Sequence, residues 1–338
     1  MPKRFLVGTV YGFIHFSVEV ASFYFLFSRM QTNPVWWALA LFFDAVAFLP
    51  QGILGSITDR FPKINIGLLG GVMMLMALLC KVNLFSLFLL ALGNAMIHVS
   101  GAQHTLRDAD GKITPNAIFV GGGSVGVVTG QLLGGFSTPA LLAIPLSLMG
   151  LSCVAMWIIH DKDSIAGKPA TFDVAAARPR QIIVLCAIIG VIVRAYTAYA
   201  IPTDWNKTAP QAVALFVCMG IGKTLGGVLC DRLGFWSVAM ISLLGGLPFL
   251  LAGNAQMMLS LIGVALFSMT MPITVAVLAS IFPKRPGFAF GITTMGLFLG
   301  SAPAFFIRPQ TLLSHQLVVI VLTAVAFPAI VVSLKKGK

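Results

Sequence analysis

Charge is what this sequence has least of. Asp, Glu, Lys and Arg make up 9% of its 338 residues, and 58% are hydrophobic. A soluble domain of this size could not solvate such a surface, which excludes water-soluble enzymes and binding modules. Acids are rarer than bases, 10 against 22, with five histidines. The formal charge of +12 would suit nucleic acid. The bases, however, fall in short loops between apolar runs, where they set orientation, and no nucleic-acid partner is expected. Cysteine is scarce too. Cys80, Cys153, Cys186, Cys218 and Cys230 lie in apolar stretches without a CxxC pair. They read as small buried hydrophobes, and no disulfide frame, metal site or cofactor is expected. No complete Gly-x-x-x-x-Gly-Lys-Ser/Thr phosphate loop occurs, and the histidines never fall in His-Glu-x-x-His. A nucleotide-driven pump and an intramembrane metalloprotease are thereby excluded. Ser100 lies near His98 in an apolar run, but nothing else supports a serine protease. No signal peptide is expected, because Lys3 and Arg4 lead into an apolar run to Ser28 that is longer than a signal core.

What remains is long apolar runs. A membrane span needs about 20 such residues. Twelve are predicted, at 5–28, 34–56, 64–80, 83–104, 115–136, 139–160, 182–203, 209–230, 236–253, 255–282, 287–307 and 312–334. Pro34, Pro115 and Pro139 stand at starts, as helices favour. The one long polar connection divides the chain into 1–160, a linker at 161–181, and 182–338, with six spans in each half. The expected fold is therefore an all-α polytopic membrane protein. Of the 22 Lys and Arg, 16 fall in loops on the side of the N-terminus. Four (Arg29, Lys81, Lys207, Arg308) fall on the other side, and Arg194 and Lys223 lie inside spans. Both termini are expected to be cytoplasmic, in a cell (inner) membrane.

The halves echo one another. Gly55-Ser-Ile-Thr-Asp59-Arg60 follows the second span and Gly227-Val-Leu-Cys-Asp231-Arg232 the eighth, 231 − 59 = 172 residues apart. The same offset carries Pro115, at the start of the fifth span, onto Gly287 at the start of the eleventh. Duplicated six-span halves mark transporters whose substrate site lies between the halves.

Gly-x-x-x-Asp-Arg after spans two and eight resembles the loop signature of the major facilitator superfamily. The run Gly126-Val-Val-Thr-Gly130-Gln131-Leu-Leu-Gly134-Gly135 is similar to the antiporter motif of its drug exporters, with Gln131 where proline is usual. Gly93-Asn-Ala-Met-Ile-His98-Val-Ser-Gly101 and Gly222-Lys223-Thr-Leu-Gly226-Gly227 look like the fosmidomycin-resistance branch. The resemblance implies two pseudo-symmetric six-helix bundles and efflux of a small drug-like or phosphonate-type compound. It gives Gly55, Asp59, Arg60, Gly227, Asp231 and Arg232 a gating role, and Gly126, Gly130 and Gly134 a conformational one.

The residues add chemistry of their own. Tyr11, His15, Glu19 and Ser22 form a polar stripe on the first span, and His15 can touch Glu19 at i, i+4. A carboxylate in an apolar cavity holds its proton more readily, and a nearby cation favours its release. That antagonism is what proton-coupled exchange needs. Glu19, His15, Asp44 and His98 are the proton-coupling candidates, against the alternative of structural hydrogen bonds. Intramembrane charges are costly and tend to serve function. Arg194 suits a carboxylate, phosphate or phosphonate, or a permanent bridge to Asp44 or Glu19. Tyr196, Thr197 and Tyr199 follow it and supply hydroxyls. Lys223 binds a ligand or snorkels to the headgroups. Tyr11, Asn94, Arg194, Tyr196, Tyr199 and Lys223 are the substrate-binding candidates. Asp59 and Asp231 can accept from helix N-terminal amides or pair with arginine across the halves. The glycines of span five are expected to pack against span eight or eleven. The reading is a proton-coupled secondary transporter of a small anionic or drug-like molecule, a monomer and not an enzyme. An uncoupled facilitator or a proton-coupled importer is the alternative.

Overall fold

The computed structural model describes residues 3–107, 109–136, 138–160, 169–200, 205–206, 208–253, 256–306 and 315–335. These residues are built from helices, with one isolated bridge between Ala175 and Leu334. Ten helices are long and apolar enough to cross a membrane. They are α1 (Lys3–Met30), α2 (Trp36–Arg60), α4 (Asn83–Arg107), α5 (Thr114–Gly135), α6 (Pro139–Ile159), α7 (Arg180–Ala200), α8 (Ala209–Leu233), α9 (Phe235–Ala252), α10 (Met257–Ile281) and α11 (Pro286–Phe305). Two shorter apolar helices, α3 (Ile66–Leu79) and α12 (His315–Ser333), complete the described set. Each predicted run holds one of these helices. At a rise of about 1.5 Å, the 14 residues of α3 reach only about 21 Å.

Local chemistry sets the ends and breaks. Pro50 lacks an amide and interrupts α2 between Phe48 and Gln51. Asn65 caps α3, its side chain accepting from the Leu68 amide at 3.0 Å. Thr208 and Gln211 form a capping box at the start of α8. The outer surface is apolar: Trp157 is 70% exposed, Ile158 71% and Ile53 69%. Such side chains suit lipid rather than water.

The packing repeats with a shift of six helices. The first half packs α1 on α5, α1 on α6, α2 on α4 and α3 on α4. The second half packs α7 on α11, α7 on α12, α8 on α10 and α9 on α10. Between the halves, α2 packs on α11 and α5 on α8, each pair being the other's counterpart. In the linker, residues 161–168 lie outside the described residues. From Ala170 it lies on the second half: the Ala170 amide donates to the Pro283 carbonyl (2.7 Å) and the Lys335 amide to the Val174 carbonyl (2.8 Å).

The glycines of α5 correct the expectation. They lie mainly against α1, not α8 or α11. A Cβ at Gly126 would strike the Phe16 carbonyl, one at Gly130 would sit 2.6 Å from the Val20 carbonyl, and one at Gly134 2.8 Å from that of Tyr24. Only Gly121 faces α8, against Thr224 and Gly220. The reason is periodic. Gly122, Gly126, Gly130 and Gly134 recur every four residues on one face, which lets two helix backbones meet without side chains between them. Gly130→Leu is expected to lower the thermal midpoint in detergent by forcing α1 and α5 apart, at a cost of about 1–3 kcal/mol or more. At Gly135 a Cβ meets nothing within 4 Å, so Gly135→Ala is expected to leave the midpoint unchanged or slightly raised.

Candidate functional site

Two charged centres lie at different depths. The first is a buried triad on α1 and α4. His15, Glu19 and His98 are 8%, 7% and 5% exposed. His15 donates from Nδ1 to the Phe119 carbonyl (2.9 Å), and His98 from Nδ1 to the Asn94 carbonyl (2.9 Å). A carbonyl only accepts, so both imidazoles carry a proton on Nδ1 and turn Nε2 inward. The two Nε2 atoms are 2.8 Å apart. Glu19 Oε1 is 3.5 Å from one and 3.4 Å from the other. Asn94 Nδ2 donates to the same oxygen (3.3 Å) and to Ser22 Oγ (3.2 Å). A glycine makes room: a Cβ at Gly123 would collide with the His15 ring. Two lone pairs facing one another at hydrogen-bond distance repel, so an electrophile belongs between them.

The second half supplies cations towards this region. Arg194, on α7, is 8% exposed, and its Nε and Nη2 have no hydrogen-bond partner among the described residues. Lys223, on α8, donates from Nζ to Ser124 Oγ of α5 at 2.7 Å. It therefore reaches across the halves, and the snorkelling alternative is not what the structure adopts. Its charge is within electrostatic reach of both Arg194 and Glu19, and that of Asp44 within reach of Glu19. Among the described residues no carboxylate lies within 4.0 Å of Arg194 or Lys223, so the expected alternative of a permanent Arg194 bridge to Asp44 or Glu19 is not formed.

At the end that carries most of the bases, two aspartates reach across the halves. Asp59, on α2, accepts from the amides of Gly287 (3.1 Å) and Phe288 (2.8 Å) at the start of α11. Asp231, on α8, accepts from the amides of Ile113 (2.9 Å) and Thr114 (3.0 Å) and from Thr114 Oγ1 (2.6 Å) at the start of α5. Each carboxylate meets the exposed N–H groups and positive dipole end of a helix in the opposite half. Asp59 also pairs with Arg107 Nη2 at 3.0 Å. Backbones touch here as well: a Cβ at Gly55 would strike Gly287, and one at Gly227 the Cβ of Ala117.

Other expected residues fall elsewhere. Tyr11 is fully buried within the first half. Its hydroxyl lies 3.1 Å from His104 Nδ1 and 3.3 Å from Ser100 Oγ, and its ring stacks on His104 at 5.0 Å. Arg60 and Arg232 are exposed, Arg60 over the Phe61 ring. The arginine that meets Asp59 is Arg107, within the same half. Thr197 spends its hydroxyl on the Val193 carbonyl of its own helix (2.6 Å). Tyr196 is half-buried on α7, and the side chain of Tyr199 lies outside the described residues. Sequence reasoning missed Ser124, Arg107 and the Phe119 carbonyl. Only Arg107 had a signal, as a basic residue at the end of a span.

Comparison with known proteins fits this geometry. No family model matches the chain. It is 26% identical over 309 residues to the uncharacterized MFS-type transporter YfnC of Bacillus subtilis (strain 168), covering 78% of this chain and 73% of that protein. The crystal structure of FucP, a major facilitator superfamily transporter in its outward conformation, superposes with a TM-score of 0.63 at 15% identity over 96% of this chain and 97% of FucP. A variant of the same E. coli fucose:proton symporter gives 0.58 at 14%, over 97% and 98%. The chain has the major facilitator fold.

The crossed aspartates generate a prediction. Asp231→Asn removes the charge from three hydrogen bonds, a loss of about 1.5–3 kcal/mol or more. With the five native cysteines replaced, Ala117→Cys at the α5–α8 contact is expected to react with a maleimide at least about tenfold faster once Asp231→Asn is added. An unchanged labelling rate counts against the cap as a gate.

Proposed function

We propose that this chain is a secondary active transporter of the major facilitator superfamily. In this reading twelve spans form two six-helix bundles that rock about the centre where Glu19, Asp44, Arg194 and Lys223 gather. It is not an enzyme, since the relatives it resembles are transporters. The end carrying the bases, including both termini, faces the cytoplasm of a cell (inner) membrane, by the asymmetry of Lys and Arg. The protein works as a monomer.

The transported molecule is a small organic anion. The observation that carries this is Arg194, a guanidinium more than nine-tenths buried with two nitrogens unpartnered among the described residues. A buried polar group left without a partner is costly, so the site is built to be completed by a ligand. The planar fork suits a carboxylate, phosphate or phosphonate, and Lys223 adds a point charge. Tyr196 and Tyr199 lie beside Arg194 in sequence and supply further contacts.

Protons are the coupling ion, taken up at the His15–His98–Glu19 triad, with Asp44 nearby. The crossed aspartates Asp59 and Asp231 close the basic end, and Gly55, Gly227 and the α5 glycines let the backbones come together. Closed at that end, the transporter opens to the opposite side. The resemblance to drug exporters favours efflux of a drug-like anion in exchange for protons. A second reading, proton-coupled import, is favoured by the likeness to FucP, a fucose:proton symporter.

A thermal-shift screen of the purified protein against anionic metabolites and antibiotics identifies the ligand through its stabilisation of the folded state. With that ligand, Arg194→Ala is expected to weaken binding at least about thirtyfold, roughly 2 kcal/mol, while inserting normally. Full transport by this variant rules out the substrate role. In proteoliposomes with an imposed pH gradient, Glu19→Gln is expected to abolish gradient-driven movement. Gradient dependence equal to wild type removes Glu19 from coupling. The sign of the gradient that drives accumulation separates exchange from symport.

A further inference from the structure

The triad is better furnished than proton binding requires. A proton between the two Nε2 atoms satisfies two donors, but three converge here. We infer that His15 Nε2, His98 Nε2 and Glu19 Oε1 form a binding site for a divalent first-row transition-metal ion.

Three observations carry it. The first is spacing. Three donors about 2.1 Å from one ion stand roughly 3.0 Å apart at right angles and about 3.4 Å apart at tetrahedral angles. The observed edges are 2.8, 3.4 and 3.5 Å. The two histidine–glutamate edges are tetrahedral, and the histidine–histidine edge needs to open by about 0.2 Å for a right angle. The second is ring orientation. A metal-ligating histidine donates its other N–H to a carbonyl or carboxylate, which fixes the tautomer. Both rings do so, His15 to Phe119 and His98 to Asn94, each at 2.9 Å. The third is the support of the carboxylate. Asn94, 1% exposed, donates to the Glu19 oxygen that faces the histidines. Ligands and supporting shell come from α1, α4 and α5, all of the first half, so the site does not depend on the gate.

The donor set names the ion class. Two imidazoles and one carboxylate suit Zn²⁺, Co²⁺, Fe²⁺ or Mn²⁺. Ca²⁺ and Mg²⁺ want oxygen shells, and Cu⁺ wants sulfur. The surroundings carry formal charges of both signs, with Lys223 in electrostatic reach of Glu19 and Arg194, and Asp44 in reach of Glu19.

The test uses the full chain in detergent and CoCl₂ alone. Wild type is expected to bind one Co²⁺ per chain with visible d–d bands, displaced by Zn²⁺. His98→Ala and Glu19→Gln are expected to weaken binding at least about 100-fold. His160→Ala, which removes a histidine at the basic end, is expected to bind as wild type does. Thermal melting adds a second readout. Zn²⁺ is expected to raise the midpoint of wild type, and not that of a folded His98→Gln protein. Lack of stoichiometric binding by wild type, or binding as tight as wild type by His15→Ala or His98→Ala, overturns the site. No transported substrate enters these measurements, so the metal site and the transport reading fail separately.

Discussion

A charge taken out of water has to be met by something, and the architecture follows from how each one is met. Asp59 and Asp231 are met by helix N-termini of the opposite half. Arg107 is met by Asp59, and Lys223 by the Ser124 hydroxyl. The apolar surfaces cannot do this organising. In lipid, one greasy helix face gains little by meeting another, so association rests on close packing and polar contacts. The halves touch through glycine backbones at Gly55 and Gly287 and at Gly121 and Gly220, which permit approach without specifying it. The crossed aspartates specify it. Each contributes a few kcal/mol to holding the two halves together at that end.

The two ends of α5 show the division of labour. Towards Thr114 the helix faces the other half through Ala117 and Gly121 and receives the cap from Asp231. From Gly122 onward its four-residue glycine spacing turns to α1, its partner within the half. One helix thus belongs to a contact within its half and to a contact between the halves. The contact within the half also delivers the Phe119 carbonyl to His15. The orientation of the triad therefore depends on the α1–α5 packing and not on the contact between the halves.

Much of this was legible in the sequence. Run length and the spacing of polar punctuation gave every described helix, and the 172-residue echo gave the paired aspartates. The i, i+4 rule brought His15 to Glu19, because both lie on one regular helix. What was illegible was contact between helices. Nothing in Gly-Gly-Gly-Ser124 announces that its hydroxyl receives Lys223 from 99 residues away. Hydropathy sees neither the backbone carbonyl that orients His15 nor the rotation that hides Tyr11 behind His104. The α5 glycines were assigned to the wrong neighbour for a related reason. A small-residue face says that some backbone comes close, and says nothing of which one.

The distribution of charge between the halves supplies the remaining step. The first half brings the acids and imidazoles of the centre, Glu19, Asp44, His15 and His98, and the second brings Arg194 and Lys223. Had the cations paired directly with the acids, each charge would be spent on its partner. Lys223 instead stops at a hydroxyl, and Arg194 keeps two nitrogens unpartnered among the described residues. At an effective dielectric of about 20, unit charges some 4 Å apart interact by about 4 kcal/mol, and the effect falls only inversely with distance. In the proposed reading, a cation added to the triad therefore changes how strongly the opposite wall holds an anion. By linkage, the anion changes how strongly the triad holds its cation to the same extent. Both effects act without any contact between the two ligands. In the proposed reading, the separation of unlike charges onto the two halves is thus itself the coupling device, and its strength depends on how closely the glycine faces let those halves approach.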